Sequence, residues 1–209
     1  MIELKQVSFI YQGQEHDGLR DIDLTIADGE CVLLCGRSGC GKTTITRLVN
    51  GLIPQFYQGE LQGRVLVDGQ EISSLPMYQI AAKVGSVFQN PRTQFFNVDT
   101  DSEIAFGIEN EARPPRELAE RMIDELEIAT PGVDTPVGRL SGGNVQKVLL
   151  GREIACNPSV LIVAYPVRGL DINSSYRIYD FLNEQKKKGV AVIFIGEDLD
   201  VLMQLSDRI

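Results

Sequence analysis

Gly36, Arg37, Ser38, Gly39, Cys40, Gly41, Lys42 and Thr43 form one run, followed by Thr44. Residue types at this spacing suit the holding of a polyphosphate. Glycines let the backbone curl until successive N–H groups point at one anion, and a helix starting behind them adds favourable potential. Lys42 is placed to reach the β- and γ-phosphates, and the Thr43 hydroxyl to ligate Mg²⁺. A glycine-rich turn with a chance Lys-Thr pair has the same composition. The flanks argue against it, because residues 30–35 are an apolar run suited to a buried strand and residues 43–49 suit a helix. A second glycine-rich helix start comes far along the chain, at Leu140, Ser141, Gly142, Gly143 and Asn144. A lone Ser-Gly-Gly says little, and its partnership with the first loop gives it weight.

The elements that must position these loops follow from hydrophobic period. Residues 2–9 and 22–26 alternate apolar and polar, predicting two strands of a small antiparallel layer. Tyr11 follows the first of them, where its ring could stack on a base or equally pack as a strand-end tyrosine on the core. Residues 61–69 predict a strand ending in an Asp68-Gly69 turn, and residues 83–88 another that ends at Gln89. Residues 102–110 and 115–128 read as helices with Ile104, Phe106, Leu118, Met122, Ile123 and Leu126 on their apolar faces. A breaker-rich loop at 130–136 returns the chain to a helix running to about Ala155. Buried strands at 159–163 and 190–195, an amphipathic helix at 173–188 and a short helix at 198–205 complete the pattern. Alternating strands and helices predict parallel βαβ units with a sheet covered on both faces.

With 209 residues, 43% hydrophobic and 23% charged, the chain suits one α/β domain with a subdomain. A net charge of −9 argues against a nucleic-acid partner, and Lys186 to Lys188 suit dipole compensation at a helix end. No apolar run approaches the roughly 18 residues of a membrane span, and residues 1–5 lack a signal-peptide core, so the expectation is a soluble, cytosolic chain. The cysteines at 31, 35, 40 and 156 lack paired metal-ligand spacing and read as buried thiols, except Cys40 inside the phosphate loop. Reactivity of Cys40 would report nucleotide occupancy. His16, the only histidine, falls in a polar loop.

In this order the pieces resemble the nucleotide-binding domain of ABC transporters along nearly the whole chain. Gly36 to Thr43 matches its Walker A loop, Tyr11 falls where the family stacks adenine, and Gln89 matches the Q-loop glutamine that senses Mg²⁺ and the membrane subunit. Leu140 to Asn144 matches the signature motif, residues 159–163 the Walker B strand, and Gly169, Leu170 and Asp171 the D-loop. The resemblance implies an α/β P-loop NTPase fold with a mostly parallel central sheet, a small N-terminal antiparallel layer and an inserted helical subdomain. Residues 1–209 would be one such domain, with 1–92 and 140–209 as core and 93–139 as the helical subdomain leading into the signature helix. It also implies ATP and Mg²⁺ as cofactors, a second cassette paired head to tail so that the signature acts in trans, an integral-membrane transporter subunit, and a place on the cytoplasmic face of the membrane. No nucleic acid is implied.

The departures from the family pattern bear on catalysis. Where Walker B carries aspartate and then glutamate, this chain has Ala164 and Tyr165, and where the family has a histidine it has Glu197. Asn144 replaces the commoner glutamine of the signature. Residues 87–110 look like cassettes of vitamin and metal importers of the energy-coupling-factor type. From Thr135 onward the chain looks like the second cassette of tandem ATPases of nucleoside or simple-sugar importers. This suggests a recombinant joined at residues 127–136, or a divergent importer cassette, and the ending at Ile209 suggests a trimmed domain. The leading functional expectation is the ATP-binding subunit of an importer, an ABC-type ATPase. The alternative is a hydrolysis-deficient module that lends its signature to a competent partner. A P-loop kinase or GTPase explains neither the second loop nor the lack of an Asn-Lys-x-Asp element.

Overall fold

The alternation at the start of the chain builds the first strand. Ile2, Leu4, Val7 and Phe9 of β1 (Ile2–Tyr11) are all buried, although Leu4 and Val7 are three apart. A bulge reconciles them: Gln6 has φ 50°, and the register slips there against both neighbours. β1 pairs antiparallel with β2 (Gly18–Ile26) and with β4 (Gly59–Val67), and β4 pairs with the short β5 (Gln70–Glu71). The antiparallel layer therefore has four strands in the order β2-β1-β4-β5. The sequence predicted two. The polar residues of β4 hid its membership, because its first half is exposed.

A computed structural model describes residues 1–14, 18–90, 93–106, 115–168, 170–196 and 205–209. In it the second sheet is wholly parallel, in the order β3 (Cys31–Leu34), β8 (Ala191–Ile195), β7 (Val160–Ala164), β6 (Val84–Val87). Its strands are apolar on both faces because both are covered. Leu33, Leu161, Val163, Val192 and Phe194 face one cluster with the later helices. Val32, Val160, Ile162, Ala191 and Ile193 face the other, which includes β1 and β4. Burying a side chain such as Phe194 contributes about 1.5–3 kcal/mol.

Helices α1 (Lys42–Val49), α2 (Leu52–Gln55) and α3 (Met77–Ala81) lie between β3 and β6 in sequence, and the last two were not foreseen because each is about one turn long. Helices α4 (Thr100–Ala105) and α5 (Pro115–Glu125) pack against α6 (Gly142–Ala155), and α7 (Ile172–Lys187) follows β7. Ala119, Met122 and Leu126 of this helical region join the same apolar cluster as the sheet. Its base is closed where Thr100 N–H donates to the Thr135 carbonyl at 3.0 Å and Val137 N–H to the Val98 carbonyl at 2.9 Å. Phe106 corrects the sequence reading. It is exposed, and its ring stacks on Phe96 at 4.8 Å between centroids. Residues 107–110 of the expected helix, nearly all of the one at 198–205, and His16 lie outside the described residues. No helix among the described residues is long and apolar enough to cross a membrane.

Candidate functional site

The C-terminal ends of the parallel strands open into a cavity of about 820 Å³. Gly36, Ser38, Gly39, Gly41, Lys42, Thr43 and Thr44 line it, as do Tyr11 and Gln89. Arg37 and Cys40 of the same loop do not. Strand β3 stops at Leu34, and Gly36, Gly39 and Gly41 then have φ of 143°, 84° and 98°. Gly41 is the N-cap of α1, and a Cβ there would lie 2.5 Å from Leu19 Cδ2. With no side-chain cap, the first N–H groups of α1 remain available to an anion.

Lys42 Nζ donates to the carbonyls of Gly36 at 2.8 Å and Arg37 at 2.9 Å, and lies 3.6 Å from Cys40 Sγ. A polyphosphate in the loop would compete with those carbonyls for the ammonium. Thr43 is exposed. Thr44 is buried, and its hydroxyl lies 3.1 Å from Tyr11 Oη. Tyr11 also accepts from Arg47 Nη1 at 3.1 Å, and Arg47 stacks over the Tyr57 ring at 3.9 Å from its centroid. Arg47 and Tyr57 both line the cavity. Sequence reasoning missed them, because it is the pairing of Tyr11 with Gly59 across β1 and β4 that brings Tyr57 near.

Gln89 is exposed beside Phe88, Asn90 and Thr93 on the cavity wall. Buried Gln94 braces this turn, since Phe88 N–H donates to its Oε1 at 2.7 Å and its Nε2 donates to the Ser86 carbonyl at 2.9 Å. Ala164 and Tyr165 line the cavity as well, with Ile195 and Gly196. Tyr165 holds φ 53°, a left-handed conformation that bulky residues seldom adopt, and its N–H donates to the Ile195 carbonyl at 2.7 Å. Among the described lining residues there is no carboxylate. Glu197 and Gly169 lie outside the described residues.

The second glycine-rich loop does not line this cavity. Ser141 caps α6, its Oγ accepting from Asn144 N–H at 3.4 Å. Leu140 is buried, whereas Ser141 and Gly142 are exposed and Gly143 is half-buried. The Asn144 amide is engaged within the chain: its Oδ1 accepts from Ala129 N–H at 3.1 Å and its Nδ2 donates to the Ala129 carbonyl at 3.0 Å. Behind it, burial pushes Lys147 below its ordinary pKa, and Nζ donates to the Glu127 carbonyl at 3.0 Å. Asp171 caps α7, and bonds from the Ser174 hydroxyl at 2.7 Å and N–H at 3.0 Å hold its carboxyl below the usual range.

The cysteines divide by position. Cys31 is buried, which pushes its thiol up to about 12. Cys156 is half-buried, and Cys35 is exposed, unlike the buried thiol expected there, because β3 has already ended. Cys40 is exposed as well. Among the described residues no group of three or more His, Cys, Asp or Glu could hold a metal ion.

Residues 19–167 match the sequence profile of a family described as ABC transporter. A putative ABC transporter ATP-binding protein of Treponema denticola is 41% identical over 212 residues, covering 100% of this chain and 43% of its own length. Another, from Methanosarcina mazei, is 33% identical over 211 residues, 100% of this chain and 36% of its own. The chain thus spans less than half the length of these curated relatives. Both cover it on either side of residues 127–136, so they do not support a junction there. Among solved structures, cbiO1 from Clostridium perfringens, part of the ABC transporter complex cbiONQ, superposes with a TM-score of 0.84 at 26% identity over 99% of this chain and 82% of that one. The dimeric bacterial ABC transporter cassette MJ0796 has a TM-score of 0.83 at 23% identity over 99% and 92%, and shares the fold.

Proposed function

The chain belongs to the ABC transporter family of ATP-binding proteins, and we propose that it serves as the ATP-binding subunit of an importer, coupling the nucleotide to uptake of a small solute. The observation that carries this reading is the cavity, which combines a glycine-rich helix start, Lys42, Thr43, Gln89 and an aromatic cluster on one wall. On this reading Gly36 to Thr44 hold the phosphates and Tyr11 stands near the base. The residues fit ATP. Thr43 and Gln89 would hold Mg²⁺ that arrives on the phosphates, since a hydroxyl and an amide alone are too few donors for the bare ion. Bound there, Mg²⁺ supplies charge neutralisation between phosphate oxygens.

The reading extends to partners. Ser141, Gly142 and Gly143, which lie away from the chain's own cavity, are proposed to meet the nucleotide of a second cassette, with Asp171 at the same junction. Phe96 and Phe106, exposed with their rings stacked on each other, and exposed Val98 follow Gln89 in the chain, and we assign them to contact with the membrane subunit. That places the protein on the cytoplasmic face of the membrane. The division into a core of 1–92 and 140–209 with a helical subdomain at 93–139 belongs to the same proposal.

A second reading has its own observation. The cavity wall carries Ala164 and Tyr165, and among its described residues there is no carboxylate to orient an attacking water. This favours a module that binds ATP without hydrolysing it and lends its signature to a competent partner. Binding itself is tested by thermal unfolding. Saturating Mg-ATP at ~100 times its dissociation constant stabilises by about 2.7 kcal/mol, a rise of roughly 5–10 °C for a chain of this size. Lys42→Ala is expected to remove most of that rise. An unchanged melting temperature in the parent, or an undiminished rise in the mutant, would overturn the reading.

A further inference from the structure

A second, smaller cavity of about 180 Å³ lies among the later helices and shares no lining residue with the first. Buried Leu126, Ile178 and Phe181 give it an apolar wall. Lys147 of α6 and Arg177 of α7 line it as well. Lys147 is buried, at 7% exposed, and among the described residues its one hydrogen bond runs from Nζ to the Glu127 carbonyl at 3.0 Å. An ammonium has three donors, so two are left over beside an open space. Burying such a group with donors unused is costly, and an acceptor in the cavity would offset that cost. Arg177 Nη2 bonds the Glu127 carboxylate, which uses part of a guanidinium with five donors. The remaining charges of the lining are acidic and exposed. Glu125 pairs with Arg121 at 3.6 Å, whereas Asp180 and Glu184, one turn apart on α7, are in no ion pair among the described residues. Like charges at that spacing destabilise a helix, and a cation between them relieves it.

We propose that this cleft between α5, α6 and α7 is a binding site for a free amino acid with an aliphatic side chain. The carboxylate accepts from Lys147 and Arg177, the ammonium donates to Asp180 and Glu184, and the side chain lies on Leu126, Ile178 and Phe181. Neither charge suits the lining alone. A simple carboxylate meets the acids, and a simple amine meets Lys147 and Arg177, so the complement is a molecule that carries both signs. The volume is below the roughly 300–1,000 Å³ of sites that take drug-sized ligands, which excludes a nucleotide. Burial holds Lys147 below its ordinary pKa, and a carboxylate beside Nζ favours the charged form. Lys147 lies one turn beyond Gly143 on α6, so the occupant touches the helix that presents Ser141 and Gly142. The proposal stands whether or not ATP binds in the first cavity.

The test is titration calorimetry on the intact chain with L-leucine as the probe, beside L-leucinamide, which lacks the carboxylate, and isocaproate, which lacks the ammonium. Leucine is expected to bind, and each analogue to bind about 10- to 150-fold more weakly, the loss of one charge-assisted hydrogen bond. Lys147→Met should narrow the gap between leucine and leucinamide, because the carboxylate has then lost its buried partner. Asp180→Asn with Glu184→Gln should narrow the gap between leucine and isocaproate. Both of these positions are exposed, so the acid variant keeps the fold even if Lys147→Met does not. Saturating Mg-ATP should leave leucine bound, since the two cavities have separate linings. Displacement of leucine by ATP would put it in the first cavity and overturn the proposal. So would failure of leucine to bind the parent, equal binding of the three probes, or an acid variant that separates leucine from isocaproate as the parent does.

Discussion

Gly142 and Gly41 are both glycines at a helix start, yet they ask for glycine for different reasons. At Gly41 φ is 98°, in the left-handed region that favours glycine, and a Cβ would crowd Leu19 Cδ2 at 2.5 Å, so the glycine answers to this chain's own backbone. At Gly142 a Cβ meets nothing within 4 Å. The chain itself has room there for a side chain. On the proposed trans role, the open space belongs to a partner's nucleotide, and a carboxylate in it opposes phosphate. Gly142→Asp is therefore expected to fold, with a melting temperature within about 2 °C of the parent's, since exposed substitutions away from special features cost within about 0.5 kcal/mol. It should bind Mg-ATP as the parent does and fail to form ATP-dependent dimers in light scattering. Loss of nucleotide binding by a folded Gly142→Asp chain would refute the trans assignment. The phosphate loop was legible in sequence because its glycines, lysine and threonine are adjacent. Tyr57 was not, because strand pairing across β1 and β4, not local spacing, brings it to the site, and Arg47, one turn along α1, shows its place only through its contacts with Tyr11 and Tyr57.

Between elements, one tie is a buried ionic cluster that sequence patterning does not reveal. Arg152 on α6 bonds the Glu103 carboxylate on α4, which is 0% exposed, and its Nη1 also donates to the Gln94 carbonyl at 2.8 Å. Arg152 Nη2 meets Glu153 Oε1 at 2.7 Å, and Glu153 Oε2 accepts from Ser86 N–H of β6 at 2.9 Å. Glu103 Oε2 in turn accepts from the N–H groups of Phe96 and Asn97 at 3.0 and 2.8 Å. One network thus joins the strand before the Q-loop, the Q-loop's own brace at Gln94 and the helix behind the second glycine-rich loop. Read from sequence, Glu103 counts as a polar position on a short helix and Arg152 as one of several on α6; only the packed elements make them partners. Arg152→Met leaves the Glu103 charge buried and unpaired, and the expected cost is about 3–5 kcal/mol, measured by urea unfolding. Adding Glu103→Leu should recover only part of it, because the Phe96 and Asn97 N–H groups then lose their acceptor. Full recovery in the double mutant would mean that those two bonds contribute nothing.

At the scale of the whole molecule, the parallel sheet was legible because its strands are short, largely apolar runs that alternate with helices, whereas the antiparallel sheet was under-read because half of β4 faces solvent. On the proposed function the cavity holds the residues that bind the nucleotide, and its described lining carries no carboxylate. Phosphoryl transfer depends on positioning and on stabilising developing charge, with a side chain orienting the attacking water. Ala164 offers the metal's shell no oxygen from its side chain, and Tyr165, held at φ 53° on the cavity wall, offers a phenol in place of a carboxylate. By the resemblance in sequence, Glu197, which lies outside the described residues, stands in motif order where a histidine is expected. Loss of a general base alone costs about 10² to 10⁴ in rate, and the other changes compound it without adding simply. Steady-state hydrolysis by the isolated chain is therefore expected near background, even where Mg-ATP raises its melting temperature. Ala164→Asp with Tyr165→Glu should restore part of the rate, and adding Glu197→His should restore more, if the chain pairs with a second copy at the concentrations assayed. Phosphate release measured across a range of protein concentrations separates a dead site from an unpaired one, since only the restored protein should gain rate as dimers form. Brisk hydrolysis by the unaltered chain that disappears with Lys42→Ala would show that other residues orient the water, and the second reading of this site would have to be abandoned.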